Sequence, residues 1–351
     1  MKITDTRTLP NGRLQLPAFG LGGAALGGLF APVDGDDAEA TLAAAWAAGV
    51  RFFDTAPYYG HTRSERRLGV FLSEQPRDSF VVSTKVGRLM VPDARAAVSG
   101  AGWAGPLPFR PHFDYSYDAV MRSFEDSLQR LGLARIDILL VHDIGSLTHG
   151  DQQGRHWRQL TEGGGFRALG ALRRDGRVDA IGLGVNETAV LHAAMQECQI
   201  DCTLLAGRYT LLEQAGLQPL LQECQRHGNA LIIGGPFNSG VLAGEAHYNY
   251  AQAPAAVLER VRALDAACRE HQVPLPAAAL QFPLAHPAVL SVVAGVRHPG
   301  QLQQNIAWFE QPIPPGLWAT LRERGLLEAD APCPGLVGGN APRAQRPPTS
   351  Q

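Results

Sequence analysis

Cysteine is scarce in this chain, and the five that occur are scattered through its second half. An odd and widely spaced set argues against a disulfide framework and suits a reducing compartment. Cys198 and Cys202 lie close together but lack a second pair at the spacing of a zinc site, so we interpret them as packing residues. No set of histidine, cysteine and carboxylate residues has metal-ligand spacing, and we expect no bound metal.

Net charge and long apolar runs are also lacking. The 31 basic and 33 acidic residues leave a net charge of −2, which gives no attraction to nucleic acid or to an anionic membrane. The first residues form no apolar signal core, and no run is long enough to span a bilayer. We therefore expect a cytoplasmic protein without nucleic-acid or membrane partners, either a monomer or a small homo-oligomer.

What the sequence does have is a repeated pattern in which a short apolar run ends on an ionisable residue. Asp54, Lys85 and His142 each end or follow such a run. A proline and a glycine break regular structure soon after Asp54, which places Tyr59 on a loop just beyond the strand end. An acid, a base and a phenol at the ends of strands are candidates for proton chemistry.

Eight apolar runs are each followed by a loop and a helical pattern, near residues 17, 52, 82, 139, 182, 204, 231 and 292. Eight βα units predict an α/β fold of the (β/α)8 TIM-barrel type, in a single domain over residues 1–330. Active sites of such barrels lie at the C-terminal ends of the strands, where we expect long loops over 86–115 and 143–165. Residues 331–351, rich in proline, glycine, alanine and arginine, predict a disordered tail.

The N-terminal region contains two glycine signals. An Asn-Gly turn at 10–12 predicts a β-hairpin before the barrel. Residues 20–25 match the dinucleotide fingerprint G-x-G-x-x-[GA], but that motif requires a helix to begin at once, whereas Gly27, Gly28 and Pro32 continue the loop. A close-packed turn at the end of a strand is the favoured interpretation, and a Rossmann-type phosphate loop is the alternative.

Local patterns also give helix boundaries. Asp36 and Glu39 form a capping box for the first helix. A second helix over 64–71 should expose Glu65, and another is expected over 214–226. The segments 86–115 and 143–165 are expected to be loops that border the pocket.

The strand-end residues suggest a division of roles. A free phenol has a pKa of about 10, too high for proton transfer at neutral pH. The ammonium group of Lys85 could lower the pKa of Tyr59, Asp54 could pair with Lys85, and His142 could donate a hydrogen bond to a substrate oxygen. Each residue alone has a structural alternative, such as a solvated loop carboxylate or a packed tyrosine, but three matching strand ends favour a shared site.

Several motifs together resemble the aldo-keto reductase superfamily. They are Asp54-Thr55-Ala56 with Tyr59-Gly60, Ser64-Glu65, Leu68-Gly69, Ser83-Thr84-Lys85 and Ile138-Leu139-Leu140-Val141-His142. The resemblance extends from about residue 16 to residue 327. It implies a (β/α)8 barrel, a nicotinamide cofactor bound across the barrel mouth, and a catalytic tetrad formed by Asp54, Tyr59, Lys85 and His142.

Four further segments resemble the branch that contains D-threo-aldose 1-dehydrogenase, L-fucose dehydrogenase and pyridoxal 4-dehydrogenase: 113–118, 205–212, 234–240 and 280–287. The branch implies NAD(P)-dependent oxidation of the anomeric carbon of an aldose, of the L-fucose, D-arabinose or L-galactose type, to a lactone. The alternatives are a pyridoxal 4-dehydrogenase and a general aldehyde or ketone reductase. A nucleotide-sensing regulatory subunit is the non-enzyme alternative, and the intact tetrad argues against it.

The resemblance also implies which residues bind the cofactor. They are Asn186 at the nicotinamide carboxamide; Pro236, Phe237, Asn238, Ser239 and Gly240 in a pyrophosphate loop; and Arg297, Gln301, Gln304 and Asn305 after the last strand. Few cations lie in that last group, so we expect NAD, with NADP as the alternative. Trp103 and Phe109 could offer apolar faces to a substrate ring, or could only anchor their loop.

Overall fold

The computed structural model of the protein describes residues 1–95, 99–100 and 102–335. Its strands are β1 (Thr6–Thr8), β2 (Gln15–Pro17), β3 (Phe19–Gly22), β4 (Phe52–Asp54), β5 (Val81–Val86), β6 (Arg88–Pro92), β7 (Ser99–Gly100), β8 (Trp103–Ala104), β9 (Phe109–Phe113), β10 (Ile138–His142), β11 (Ala180–Val185), β12 (Cys202–Ala206), β13 (Ala230–Gly234), β14 (His247–Tyr248), β15 (Ala251–Gln252) and β16 (Val289–Gly295).

The α-helices are α1 (Gly35–Ala47), α2 (Arg63–Leu72), α3 (Tyr117–Leu131), α4 (Ser146–His149), α5 (Gln153–Leu160), α6 (Gly165–Arg174), α7 (Thr188–Glu197), α8 (Gln218–Arg226), α9 (Ala255–Glu270), α10 (Leu275–Gln281), α11 (Pro299–Glu310) and α12 (Pro315–Glu323). Short 3-10 helices cover Arg77–Ser79, Gly150–Gln152, Asn238–Ala243 and Phe282–Ala285. No helix in the described part of the chain is long and apolar enough to cross a membrane.

Eight strands close into a parallel barrel in the order β3, β4, β5, β10, β11, β12, β13, β16, and β16 pairs back with β3. The strands follow one another around the barrel in chain order, as right-handed crossovers through helices require. This confirms the predicted (β/α)8 barrel. The first barrel strand begins at Phe19, two residues after the predicted centre at 17, because residues 15–17 pair instead in the N-terminal hairpin.

Apolar side chains pack in two places, between the strands and the surrounding helices and inside the barrel. Strand residues that point inward, among them Phe52, Leu140 and Ile232, fill the barrel interior. Leu9 and Leu16 of the predicted hairpin, which is confirmed as β1 and β2, are buried against the same cluster. The interior is therefore packed, and the hairpin closes the N-terminal end of the barrel. Ligands can bind only at the opposite end, where the strands end.

Two local predictions about the first helices are wrong. The N-cap of α1 is Asp34, whose carboxylate accepts a hydrogen bond from the backbone N–H of Asp37 at 2.7 Å, so the helix begins before the predicted capping box at Asp36. Glu65 is fully buried rather than exposed. It lies on the inner face of α2, where it accepts hydrogen bonds from Thr84 and Arg130.

The two segments predicted as plain loops contain regular structure. Within 86–115, β6 and β9 form an antiparallel hairpin, and β7 pairs with β8. Within 143–165 lie α4 and α5. Both segments follow barrel strands and stand at the C-terminal face, so their predicted location is correct although their predicted conformation is not.

The C-terminal third differs from prediction mainly at element ends. Helix α8 begins at Gln218, not at Gln214, because Pro219 suits its first turn and the Gln214 side chain bonds the Leu211 carbonyl within the preceding loop. Helix α12 was not predicted. Of the predicted tail, residues 331–335 are described and include the buried Ala331, while 336–351 lie outside the described residues.

Candidate active site

The barrel brings three ionisable strand-end residues to one place. Asp54 ends β4, Lys85 lies near the end of β5, and His142 ends β10, and these three strands are neighbours in the sheet. The register sets Asp54 beside Ser83. Tyr59 comes from the loop after β4, which folds back through a turn in which its N–H bonds the Ala56 carbonyl at 3.1 Å.

Asp54 and Lys85 form a buried ion pair. The Lys85 Nζ lies 3.0 Å and 2.9 Å from the two Asp54 carboxylate oxygens and 2.8 Å from the Thr55 carbonyl. Ser83 Oγ donates a further hydrogen bond to Asp54 at 2.7 Å. All three ammonium protons of Lys85 therefore have acceptors, and its charge is fixed and balanced.

Tyr59 lies above this ion pair, with its ring centroid 4.6 Å from the Lys85 Nζ. Burial raises the pKa of the Tyr59 phenol well above its ordinary value, and the carboxylates of Asp54 and Asp143 raise it further. Arg88 is the cation that opposes this rise, and the expectation that Lys85 lowers the Tyr59 pKa is wrong. The reason is that the lysine charge is balanced by Asp54, so the phenol receives little net stabilisation of its anion.

His142 is neutral at this site. Burial, and after it the nearby cations Arg88 and Lys85, holds the pKa of the imidazole well below its ordinary value. The ring stands edge-on to Tyr59, with centroids 5.7 Å apart. A neutral imidazole carries one N–H, so His142 can donate one hydrogen bond to an oxygen beside Tyr59.

Trp103 reaches the site, whereas Phe109 contributes differently. The buried Trp103 ring lies 5.7 Å from the Tyr59 ring and 5.6 Å from the Tyr58 ring. Phe109, on the hairpin strand β9, accepts a hydrogen bond at its carbonyl from the ring of His61 at 2.6 Å. Trp103 therefore packs against both tyrosines without being part of the cavity wall described below, and the Phe109 carbonyl ties its strand to His61.

A cavity of about 470 Å³ opens from Asp54 and Tyr59 across the barrel mouth. Its size suits a small ligand or cofactor. Of the residues predicted to bind the cofactor, those that line it are Pro236, Phe237, Ser239, Gly240, Arg297, Gln301, Gln304 and Asn305. Asn238 lies beneath the lining, where its Nδ2 donates to the Gly207 carbonyl at 3.0 Å. Asn186 is half-buried and is not part of the cavity wall.

The far half of the cavity has features of an anion and nucleotide site. The N-terminus of α11 opens into it just after Arg297 and favours negative charge. Ser239 and Gly240 have positive φ, which turns this short loop sharply. The amide Nδ2 of Asn305 is buried without a hydrogen-bond partner in the part of the chain that the structure describes, so a donor is left for a bound group. These residues fit a dinucleotide.

Arg297 is not a free cation in this half of the cavity. Its Nη1 lies 3.3 Å from the Glu245 carboxylate, and its backbone N–H bonds the Gln301 side chain at 2.9 Å. Glu245 lines the same cavity. The arginine charge is therefore largely balanced at the place where an adenosine phosphate would need it.

Four residues of the site were missed by sequence reasoning: Arg88, Asp143, Glu245 and Tyr250. Asp143 directly follows His142, so extending the strand-end pattern by one residue would have found it. Tyr250 and Glu245 lie in the segment after β13 and border the cavity with Tyr59. Only the folded chain brings them there, and no sequence signal marks them.

No group of three potential metal ligands occurs among residues 1–95, 99–100 and 102–335.

Comparison with known proteins identifies the family. The model of the aldo/keto reductase family matches residues 18–324. The chain belongs to this family. It is therefore an oxidoreductase of a family that uses NAD(P)H, and the tetrad positions given by the resemblance coincide with the residues that the barrel brings together.

Two curated relatives cover nearly the whole chain. Pyridoxal 4-dehydrogenase of Microbacterium luteolum is 50% identical over 93% of this chain and 99% of the relative. D-threo-aldose 1-dehydrogenase of a Pseudomonas species is 42% identical over 90% of this chain and 95% of the relative. Among solved structures, the holo form of an aldo-keto reductase from Bacillus halodurans matches with a TM-score of 0.69 at 22% identity, covering 93% of this chain and 97% of that one. That structural likeness concerns the fold.

Proposed function

We propose that this aldo/keto reductase is an NAD(P)-dependent dehydrogenase that oxidises the hemiacetal carbon of a ring-shaped substrate to a lactone. The observation that carries the proposal is the buried Asp54–Lys85 pair beneath Tyr59, beside a neutral His142, at the end of a nucleotide-sized cavity. Oxidising a hemiacetal requires a proton to leave its hydroxyl and a hydride to leave its carbon. The four residues supply the proton-handling part.

Within this proposal, each residue has a separate task. Tyr59 exchanges the proton with the substrate oxygen, and His142 donates a hydrogen bond that orients that oxygen. Lys85 and Asp54 hold the tyrosine environment fixed. A nicotinamide cofactor would supply the hydride acceptor, and the loop at Ser239–Gly240 and the N-terminus of α11 would hold its phosphates.

The substrate class is supported by the two relatives together. Pyridoxal in its ring form and an aldose in its ring form are both cyclic hemiacetals, so one site chemistry serves either. We place pyridoxal first because that relative is 50% identical, against 42% for the aldose enzyme. The tyrosine and tryptophan rings around Tyr59 suit a flat aromatic substrate. The aldose favoured by sequence analysis is the second candidate.

We also propose that NAD serves this enzyme at least as well as NADP. The additional phosphate of NADP needs unpaired cations. Arg297 is paired with Glu245, and the Glu245 carboxylate would repel that phosphate. The same carboxylate can accept hydrogen bonds from a ribose diol, which NAD retains.

A substrate panel tests the proposed function. Pyridoxal, L-fucose, D-arabinose and L-galactose are each offered to the purified enzyme with NAD and with NADP, and the reduced cofactor is followed by its absorbance. We expect oxidation of pyridoxal or of at least one aldose, with the lactone as product. Rapid reduction of simple aldehydes with no oxidation of any hemiacetal would indicate a general reductase instead. Cofactor binding without any turnover would indicate a nucleotide sensor.

A further inference from the structure

Arg88 and Asp143 form a second ion pair beside the tetrad. Arg88 Nη2 lies 2.6 Å from Asp143 Oδ2. Arg88 is 5% exposed, whereas the Asp143 side chain is 22% exposed. The arginine is thus enclosed, and the carboxylate is the member of the pair that remains accessible.

Arg88 is held rigidly. Its guanidinium lies over the Tyr58 ring, 4.2 Å from the centroid, and 5.5 Å from the centroid of Phe113. Its Nε is buried with no hydrogen-bond partner among the described residues. A buried ion pair is a weak contributor to stability because desolvation of the two charges offsets their attraction. A fold that only needed packing at this place could use apolar residues.

Asp143 lies beside the reacting end of the site. Its Oδ2 lies 3.5 Å from the Nε2 of His142, a separation too long for a good hydrogen bond, and the His142 ring stands beside Tyr59. The Asp143 backbone has a positive φ of 38° and its N–H bonds the Gly184 carbonyl at 3.0 Å. A non-glycine residue in that conformation is strained and is kept there by its surroundings.

We propose that Asp143, held by Arg88, is the substrate-recognition residue that accepts a hydrogen bond from a second hydroxyl of the substrate, next to the hemiacetal. This inference rests on the proposed hemiacetal dehydrogenase function. An oxygen bound by Tyr59 and His142 places neighbouring substituents of the ring near Asp143.

Both candidate substrates carry such a hydroxyl. An aldose has one on the carbon beside its anomeric carbon, and pyridoxal has one on the ring carbon beside the carbon that bears its aldehyde. A carboxylate accepts a hydrogen bond from either. Burial raises the pKa of Asp143, and the Arg88 charge opposes that rise and holds the carboxylate in place.

The test uses pairs of substrates that differ by this hydroxyl alone: L-fucose against 2-deoxy-L-fucose, and pyridoxal against 3-deoxypyridoxal. For the pair that the wild-type enzyme oxidises, we expect kcat/KM to be about 100-fold higher for the hydroxylated member, since a site that bonds a hydroxyl rejects the analogue without it. In Asp143→Ala, we expect the ratio to fall to within about threefold of unity, because no acceptor remains.

Two further variants make the result decisive. Asp151→Ala removes an exposed carboxylate from the same loop region and should keep the wild-type ratio. Arg88→Met combined with Asp143→Ala removes both charges, so no charge is left buried and unpaired if the single variant fails to fold. A ratio near unity in wild type, or one retained in a folded variant lacking Asp143, overturns the inference and leaves the proposed function intact. Wild-type enzyme that oxidises no hemiacetal overturns the proposed function and the inference with it.

Discussion

Tyr59 differs from its three partners in its accessibility. Asp54, Lys85 and His142 are buried, whereas Tyr59 is half-buried and lines the cavity. A group that exchanges a proton with a ligand has to reach it, whereas the Asp54–Lys85 pair does not. The ion pair beneath it has no free donor left for the substrate, which supports the proposal that Tyr59 exchanges the proton and His142 donates the orienting hydrogen bond.

Replacing Tyr59 tests that assignment. Tyr59→Phe keeps the ring over Lys85 and removes only the hydroxyl, so we expect kcat to fall by about 100- to 10,000-fold. Cofactor affinity, measured by fluorescence titration, should change little because the cofactor half of the cavity is untouched. Tyr58→Phe is the matched control, since it removes a neighbouring hydroxyl and keeps the ring beneath Arg88. Near-normal kcat in Tyr59→Phe would show that another group moves the proton.

The Glu245–Arg297 pair makes a second prediction at the level of single residues. Glu245→Gln removes a negative charge from the cavity and releases Arg297, so we expect the ratio of kcat/KM for NADP to that for NAD to rise about 10-fold, the effect of roughly 1.4 kcal/mol. The ratio is measured for wild type and variant under the same salt concentration. A strong wild-type preference for NADP that disappears in Arg297→Ala would show that the arginine acts despite its partner.

At the level of elements, Glu65 joins three parts of the barrel wall. It lies on α2, accepts a hydrogen bond from Thr84 of β5 at 2.7 Å, and pairs with Arg130 of α3 at 2.5 Å. Thr84 directly precedes Lys85, so this junction also supports the strand end that carries the site. Its buried carboxylate is fully satisfied, which makes its loss costly.

Glu65→Ala should therefore destabilise the fold by about 3–5 kcal/mol, because Arg130 is left with an unpaired and poorly solvated charge. The free energy of unfolding is measured with urea. Arg66→Ala, at the exposed neighbouring position, is the control and should change stability by less than about 0.5 kcal/mol. Equal effects of the two substitutions would mean that the buried contacts of Glu65 contribute no more to the free energy of unfolding than the exposed Arg66 side chain does.

The elements also show which features a sequence can reveal. Helix α3 has the predicted bounds because a clear apolar period ends at Gly132, which takes the left-handed conformation. The strand-end rule located Asp54, Lys85 and His142. The hairpin of β6 and β9 escaped because its strands are stabilised by pairing across 16 intervening residues rather than by local pattern. The sequence did not reveal the burial of Glu65 or the pairing of Glu245, because the partners of both residues are distant in sequence. A charged residue that looks exposed from its local pattern can therefore be buried or paired in the folded chain.

At the scale of the whole molecule, buried neutral histidines link folding to pH. Burial lowers the pKa of His286 to about 4, and burial followed by His156 and Arg88 lowers the pKa of His149 to about 4. His286 Nδ1 accepts a hydrogen bond from the backbone N–H of Ala288 at 3.1 Å, which requires that nitrogen to be unprotonated. Between about pH 4 and the ordinary histidine pKa of about 6.5, the unfolded chain binds protons at these positions and the folded chain does not.

Because the unfolded state binds more protons in that window, stability falls as the pH is lowered through it. His286→Asn keeps an acceptor near the Nδ1 position and removes one titrating group. Between pH 7.5 and pH 5.0, we expect urea unfolding to show that wild type loses about 2 kcal/mol more than this variant, from a slope of about 1.4 kcal/mol per pH unit per proton. His112→Asn, at an exposed position on β9, should follow wild type. If wild type and His286→Asn lose the same free energy of unfolding between these pH values, other groups cause the pH dependence and His286 does not contribute to it.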